Sequence, residues 1–403
     1  MKRLLSYIYL LAAVSCAEIA GPDVSQTPQA PVPVEFALAK TKGAIYGEAD
    51  LVNNSSMFGM FAINPECESI SDNDGLNLRN QLCRYVEATE TEKATLKFGY
   101  ASEDKKIYFP MNSSVNYDFY TYHRWTSKLV QLADGTSVIV DTEEIQDVSE
   151  MTSTDRQVFV SLGLASHYDV LWSKSVAEPI EVDGKVIEGF NAAYVSKTGK
   201  VPSFQFRHPA AGIRFSAVLS EGSLNTILKR DHLRITEISY TGADSRKITT
   251  EAALCIVDLD NNENEGKFTK VLSSISSKKW LNMETSSGAL SFDVLADADG
   301  DGVTETCHTE PVQIHSEAFI MPMDEPLEVT ISMRRQRVSD AGAITGNWPE
   351  VKKTFILDPK KFGAEESGYK AGKMYNYKIV VDYTNPTPGT PANDVIDFEV
   401  VAE

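Results

Sequence analysis

The stretch LADADGDGVTETCH, Leu295 to His308, holds the densest set of candidate metal ligands in the chain. Asp297, Asp299 and Asp301 fall at the first, third and fifth positions of a calcium-type loop, with Gly302 at the sixth, a spacing that wraps hard oxygens around Ca²⁺. The twelfth position is His308, where such a loop expects a bidentate Glu; Glu305 and Glu310 are the nearest substitutes, and no flanking helices are evident. Asp and Gly are also what a turn requires, so the alternative is a solvated hairpin between strands. Calcium is the one cofactor this chain suggests, and beyond it none is expected.

Catalytic patterns are missing. There is no GxSxG elbow, HExxH helix, P-loop or GxGxxG after a strand, and the six histidines form no evident triad or metal spacing. Dispersed Asp/Glu pairs could assemble a glycosidase, yet a chain this acidic supplies such pairs by chance. The expectation is therefore not an enzyme, with a surface hydrolase kept as the third reading. Two binding patterns remain. Tyr117, Phe119, Tyr120, Tyr122 and Trp125 could stack on a sugar or pack a core. Arg207, His208 and Arg214 could hold an anion, though His208 before Pro209 fits a structural role at a strand-to-turn junction better.

The remaining chemistry is covalent processing, concentrated in the first 42 residues. Lys2 and Arg3, then about a dozen apolar residues, then small residues ending at Cys16 make an export signal too short to span a bilayer stably. Cleavage before Cys16 would let its thiol carry diacylglycerol and acyl chains such as palmitate; at about 0.8 kcal/mol per buried methylene, two or more chains anchor firmly. Ala13, at the third residue before the cysteine, departs from the usual Leu, and ordinary signal cleavage is the alternative. After a Pro-rich tether comes VEFALA, Val34 to Ala39, a strand-like run followed by the basic pair Lys40 and Lys42.

Apart from Cys16 there are Cys67, Cys83, Cys255 and Cys307. An even count in an exported chain permits two disulfides, and proximity in sequence favours Cys67 with Cys83 and Cys255 with Cys307; buried free thiols are the equal alternative. None has the spacing of a zinc site.

Composition suits an exported globular protein: 403 residues, 42% hydrophobic and 24% charged, enough for about two domains. The net charge of −19 argues against nucleic acid as a partner, because phosphate binding needs clustered Lys or Arg.

The elements that must position these residues are strands. SMFGMFAIN, ATLKFGY, KIYFPM, VNYDFYTY and TSVIVD are rich in β-branched and aromatic residues and bounded by turn formers. In VNYDFYTY alternation predicts one core face and one partly wet face. SDNDGLNLRNQLCRYVEA could hold a short helix, while RQVFVSLGLASHYDVLWS mixes both periods. KTGKVPS near Gly199 marks a break, and a helix is expected over SLNTILKRDHL with Ser223 as N-cap. Eight further strand-like runs predict a second sandwich. The chain ends in a Pro/Gly linker and VIDFEVVAE, a terminal strand that either completes its own sandwich or pairs with an open sheet edge on another subunit.

Several stretches resemble the fimbrillin-like proteins of Bacteroidales, subunits of type V pili. These are the lipoprotein start, FGMFAIN (Phe58 to Asn64), IYFPMNSSVNYDFYTYHRW (Ile107 to Trp125), DVLWS (Asp169 to Ser173), FQFRHPAAGIRFSAVL (Phe204 to Leu219) and GKMYNYKIVV (Gly372 to Val381). The resemblance implies an all-β fold of two tandem transthyretin-like β-sandwich domains with few short helices. It further implies a trypsin-like protease that removes the N-terminal strand and opens a groove, which a terminal strand of the next subunit then fills. Mapped here, Val34 to Ala39 is the strand removed, by cleavage after Lys40 or Lys42, and Val395 to Val401 is the donor, with Val395, Ile396, Phe398 and Val400 as its leading side chains. The family usually presents Arg at the cut, whereas both candidates here are Lys.

The expected map is a signal peptide over 1–15, a lipid-anchored linker and removable strand over 16–42, sandwiches over 43–199 and 200–384, and a linker with terminal strand over 385–403. Expected partners are other pilus subunits, the processing protease, the outer membrane through the lipid anchor, and a host or bacterial surface ligand. The expected location is an outer membrane lipoprotein precursor destined for a cell-surface fimbrium. The alternative is a tip or surface adhesin that does not polymerise through its own last strand.

Overall fold

The computed structural model describes residues 30–39, 51–68, 70, 76, 78–103, 105–111, 115–126, 128–131, 137–140, 156–165, 168–182, 184–220, 231–243, 246–282, 295–296, 306–307, 311–313, 317–338, 344–347, 349–365, 367–384 and 395–402. Four sheets dominate. The first is antiparallel in the order Thr95–Phe98, Gln81–Val86, Met57–Ile63, Asp118–His123, Leu171–Ser175. The second runs Phe268–Ile275, Ile248–Asp258, Gln157–Gly163, Ser137–Val140, Lys128–Gln131. The third runs Val312–Gln313, Ala211–Leu219, Met374–Thr384, Val395–Ala402, with Ala318–Ile320 also on Ala211–Leu219. In the fourth, Leu327–Val338 pairs Asp231–Gly242 on one side and Ile344–Asn347 and Val351–Leu357 on the other; Lys278–Asn282 flanks Asp231–Gly242. The fold is an all-β sandwich architecture, as expected.

Three cores follow from these layers. Phe61, Tyr120, Tyr122 and Trp172 of the first sheet meet Val160, Leu162, Leu254 and Ile256 of the second. The opposite face of the first sheet, carrying Phe58, Met60, Phe98 and Phe119, forms another core with Phe204 and Phe206. Phe215, Ile379 and Val381 of the third sheet pack against Ile235, Ile238, Val329 and Ile331 of the fourth.

The first sheet is thus covered on both faces, and this corrects the expectation of a partly wet one. All six residues of Asp118–His123 are buried, because alternate side chains enter two different cores rather than one core and solvent. Several local expectations also change. Gln81–Val86 and Leu171–Ser175 are strands, and Asp231, His232 and Leu233 belong to a strand rather than a helix. Ser223 lies outside the described residues. One short helix not expected from the sequence, Ala192–Thr198, precedes Gly199. Asn191 caps it by accepting from the Tyr194 amide at 2.8 Å, and Gly199 ends it at φ 65°.

Main-chain ladders cross the expected division at 199 and 200. Gln157–Gly163 pairs antiparallel with Ile248–Asp258, with Val160 opposite Leu254. Strands from both halves of the sequence therefore build the second sheet.

No disulfide joins Cys67 to Cys83. They lie in different cores, on opposite sides of the first sheet. Cys255 is likewise a buried thiol; the side chain of Cys307 lies outside the described residues. Burial pushes the Cys83 and Cys255 thiols upward, which keeps both protonated and unreactive.

Trp172 ties the first two sheets together. Its indole N–H donates to the Ile256 carbonyl at 3.1 Å, and its six-membered ring lies against Gly266, where a Cβ would come within 2.6 Å of Cε3. Gly266 also holds φ +72°, in the left-handed region. Replacement by Ala combines about 1–2 kcal/mol of backbone strain with about 1–3 kcal/mol of overpacking. Gly266→Ala is expected to lower unfolding stability by about 2–5 kcal/mol in a urea titration, and a midpoint equal to that of the parent would contradict this packing.

Candidate functional site

Residues 31–39 form an extended segment laid across the second face of the first sheet. Pro31 and Pro33 lack amide hydrogens and hold the chain extended. Alternation then turns Val32, Val34 and Phe36 inward, at 8%, 5% and 5% exposure, and Pro31 and Glu35 outward. The segment changes partners along its length. Val34 donates its amide to the Ile107 carbonyl at 2.8 Å, and Phe109 donates to Val32 at 2.9 Å. Ala37 then donates to Pro202 at 2.9 Å and Ala39 to Phe204 at 2.8 Å, in a parallel register with Ala37 beside Ser203. The Thr95 hydroxyl adds a 2.7 Å bond to the Phe36 carbonyl.

Phe36 is the centre of this attachment. Its ring meets Phe98 and Phe119 edge-on at 5.3 and 5.8 Å, and Phe204 tilted at 5.6 Å. Such pairs add about 0.5–1.5 kcal/mol each beyond area burial. At about 1.5–3 kcal/mol per fully buried side chain, Val32, Val34 and Phe36 together hold the segment with roughly 5–9 kcal/mol. Beside it lies an open groove of about 690 Å³, lined by Val34, Phe36, Leu96, Phe98, Ile107 and Tyr108 and rimmed by Lys97, Lys105 and Lys106. Thr95–Phe98 is the edge strand of its sheet, so one side of its backbone faces this space.

The last strand, Val395–Ala402, is the edge of the third sheet. It pairs antiparallel with Met374–Thr384 of its own chain, with Phe398 opposite Val381 and Val400 opposite Ile379. Of the two expectations for VIDFEVVAE, this is the one in which it completes its own sandwich. Phe398 and Val400 are buried and Asp397 and Glu399 exposed, an amphipathic pattern of period two. Val395 and Ile396 sit opposite Thr384 and Tyr383 in the same ladder. The Phe398 ring packs 5.8 Å from Phe355 of the fourth sheet.

The other sequence candidates separate. Tyr117, Phe119, Tyr120 and Tyr122 are fully buried, which removes them as a sugar-stacking surface. Trp125 is half-buried and donates to the Asn80 carbonyl at 3.1 Å. Arg207 is exposed above the Trp172 ring, His208 is buried with its Nδ1 2.6 Å from Asp169, and Arg214 binds Glu317 at 3.1 Å. These three do not converge on one site. Cys16, Lys40, Lys42, Asp297, Asp299 and Asp301 lie outside the described residues. Among the described residues no group of three or more His, Cys, Asp or Glu is arranged to hold a metal.

One charged cluster escaped sequence reading because its members come from distant strands. Lys174 lies 3.1 Å from Glu265 and 3.8 Å from Asp118, with its ammonium 4.9 Å from the Tyr120 ring centre. Burial raises the Asp118 pKa to about 6, against the opposing pull of Lys174 and with help from Glu265; burial also raises Glu265. Carboxyls raised in the folded state favour folding at low pH, and that contribution is lost as pH rises through about 6.

No protein-family model matches the chain, and no curated protein sequence matches it. Solved structures similar to it over nearly its whole length include a proposed cell adhesion protein of Bacteroides uniformis, at 14% identity over 94% of this chain and 98% of that one, with a TM-score of 0.37. A proposed cell adhesion protein of Bacteroides fragilis matches at 11% over 93% and 98%, TM-score 0.45. A fimbrial protein of Bacteroides vulgatus matches at 10% over 92% and 99%, TM-score 0.36. At these low values the functional reading rests on the contacts described above.

Two measurements test the site. Phe36→Ala is expected to cost about 3–5 kcal/mol in urea unfolding, and a loss below about 1 kcal/mol would show that the segment is not anchored by its ring. The urea midpoint of the parent minus that of Asp118→Asn is expected to fall between pH 5 and pH 7.5, and a pH-independent difference would contradict the raised carboxyl.

Proposed function

We propose that this chain is a structural subunit of a cell-surface pilus of the type V kind, exported as a lipoprotein through Cys16 and polymerised by strand exchange once a trypsin-like protease cuts after Lys40 or Lys42. The observation that carries the reading is the seating of residues 31–39: an extended, alternating segment plugs an aromatic core through Phe36 beside an open groove. A covalently continuous segment is held at an effective concentration that a free one lacks, so cutting it lowers the barrier to replacement without altering its contacts. The incoming strand regains main-chain hydrogen bonds with its backbone and core contacts with alternate side chains.

The last strand suits the donor role in pattern. Phe398 and Val400 alternate with Asp397 and Glu399, as Val34 and Phe36 alternate with Glu35 and Ala37. To donate, it leaves its own ladder and gives up the burial of Phe398 and Val400, about 3–6 kcal/mol for these two side chains, which pairing with a neighbour restores. That cis pairing is also the observation favouring the second reading, a surface or tip adhesin that keeps its last strand. Residues that would contact a surface ligand in that case are not among the buried tyrosines. In this proposal the chain has no catalytic role.

Mature protein treated with trypsin and run unboiled on a denaturing gel separates these readings. The pilus reading predicts a ladder of stable oligomers, abolished by deletion of residues 395–403. Complete cleavage after Lys40 or Lys42 with a persistently monomeric product would overturn it in favour of the adhesin.

A further inference from the structure

The last strand carries a like-charge pair inside its own ladder. Asp397 sits directly opposite Asp382, and both are exposed on one face of the third sheet. Like charges directly opposite each other weaken an antiparallel pair. A cation from the fourth sheet answers this. Lys353 donates to the Phe398 carbonyl at 3.2 Å and pairs with the Asp397 carboxylate, while its ammonium lies 5.4 Å from the centre of the Phe398 ring. One lysine therefore touches a carboxylate, a main-chain carbonyl and an aromatic ring of the same strand.

The setting makes those contacts count. Val395–Ala402 is an edge strand with a ladder on one side only. Its stretch facing the fourth sheet is held by Phe355 against Phe398 and by Lys353, which stand two residues apart on Val351–Leu357. Lys353 is the electrostatic half of that grip: the Ser220 hydroxyl donates to the Asp382 carboxylate, while Lys353 is the cation that answers Asp397.

We propose that Lys353 is a release latch for the last strand. It offsets Asp397 against Asp382 and fixes the Phe398 carbonyl, so that breaking its contacts frees Val395–Ala402 to pair with a second copy of this chain. The use in trans rests on the strand-exchange reading above; the latch itself rests only on contacts within one chain.

Hydrogen–deuterium exchange on the full chain tests it. Lys353→Met keeps the apolar stem and removes the charge; amides of residues 395–402 are expected to exchange about tenfold faster, the size of one lost charged hydrogen bond, while those of Ala211–Leu219 keep the parent rate. Lys353→Arg keeps the parent rate throughout. Adding Asp382→Asn to Lys353→Met removes the repulsion and is expected to slow exchange back toward the parent. Unchanged exchange in Lys353→Met, or no recovery on adding Asp382→Asn, overturns the latch. If the strand loosens in Lys353→Met and cleaved protein still forms no oligomers, the latch stands and the strand-exchange use falls. If cleaved protein oligomerises at the same rate with Met or Lys at 353 despite faster exchange, release is not the controlled step and the proposed regulation is overturned.

Discussion

The first sheet is apolar on both faces, and that constraint shapes the N-terminal half of the structure. The second sheet covers one face through Trp172, Leu254 and Ile256. Among the described residues no comparable second sheet covers the other face; it is closed piecemeal by Tyr194 of the short helix, by Phe204 and Phe206, and by residues 31–39. Phe36 stands where these pieces meet, in contact with rings from an edge strand and an inner strand of the sheet and from the two-residue strand Ser203–Phe204. A cover assembled from a terminal segment is the kind that can be exchanged without dismantling a sheet. The main-chain bonds of Val32, Val34, Ala37 and Ala39 go to loops and a two-residue strand rather than into the five-stranded sheet.

The third and fourth sheets answer the same need differently. There two sheets cover each other, with Phe215, Ile379 and Val381 facing Ile235, Val329 and Ile331. The last strand adds Phe398 and Val400 at the rim of that core rather than at its middle. An edge strand with Phe398 and Val400 buried and an aspartate facing an aspartate can leave without breaking the rest of its sheet, which suits a segment meant to change partners.

Much of this was legible in the sequence where a pattern is local. VEFALA alternates by itself and reads as a strand regardless of what it packs on, whereas the Pro-rich stretch before it read as a tether although Val32 is buried and bonded to Phe109. VIDFEVVAE does the same. What was not legible depends on what lies across a sheet. Asp118–His123 has tyrosines on one face and Phe119 on the other, and nothing in that run says that the tyrosine face is also covered. The pairing of Gln157–Gly163 with Ile248–Asp258 joins residues about 90 apart, and neither run announces it; the turn-rich break at Gly199 also holds the cap of a helix. Seven residues are too few for helical periodicity to declare itself. Asp118, Lys174 and Glu265 meet from three distant stretches and leave no mark on any of them. Cys67 and Cys83 are close in sequence yet separated by a sheet, which proximity alone could not foretell.

The account's central claim is that residues 31–39 occupy a seat that the last strand of another copy can take. Native mass spectrometry of protein cut after Lys40 or Lys42, mixed with a synthetic peptide of residues 393–403, measures this directly. The account predicts that the severed N-terminal fragment stays bound at first and is then replaced one for one by the peptide. A fragment that persists at saturating peptide, or a peptide that binds without displacing it, would contradict the claim.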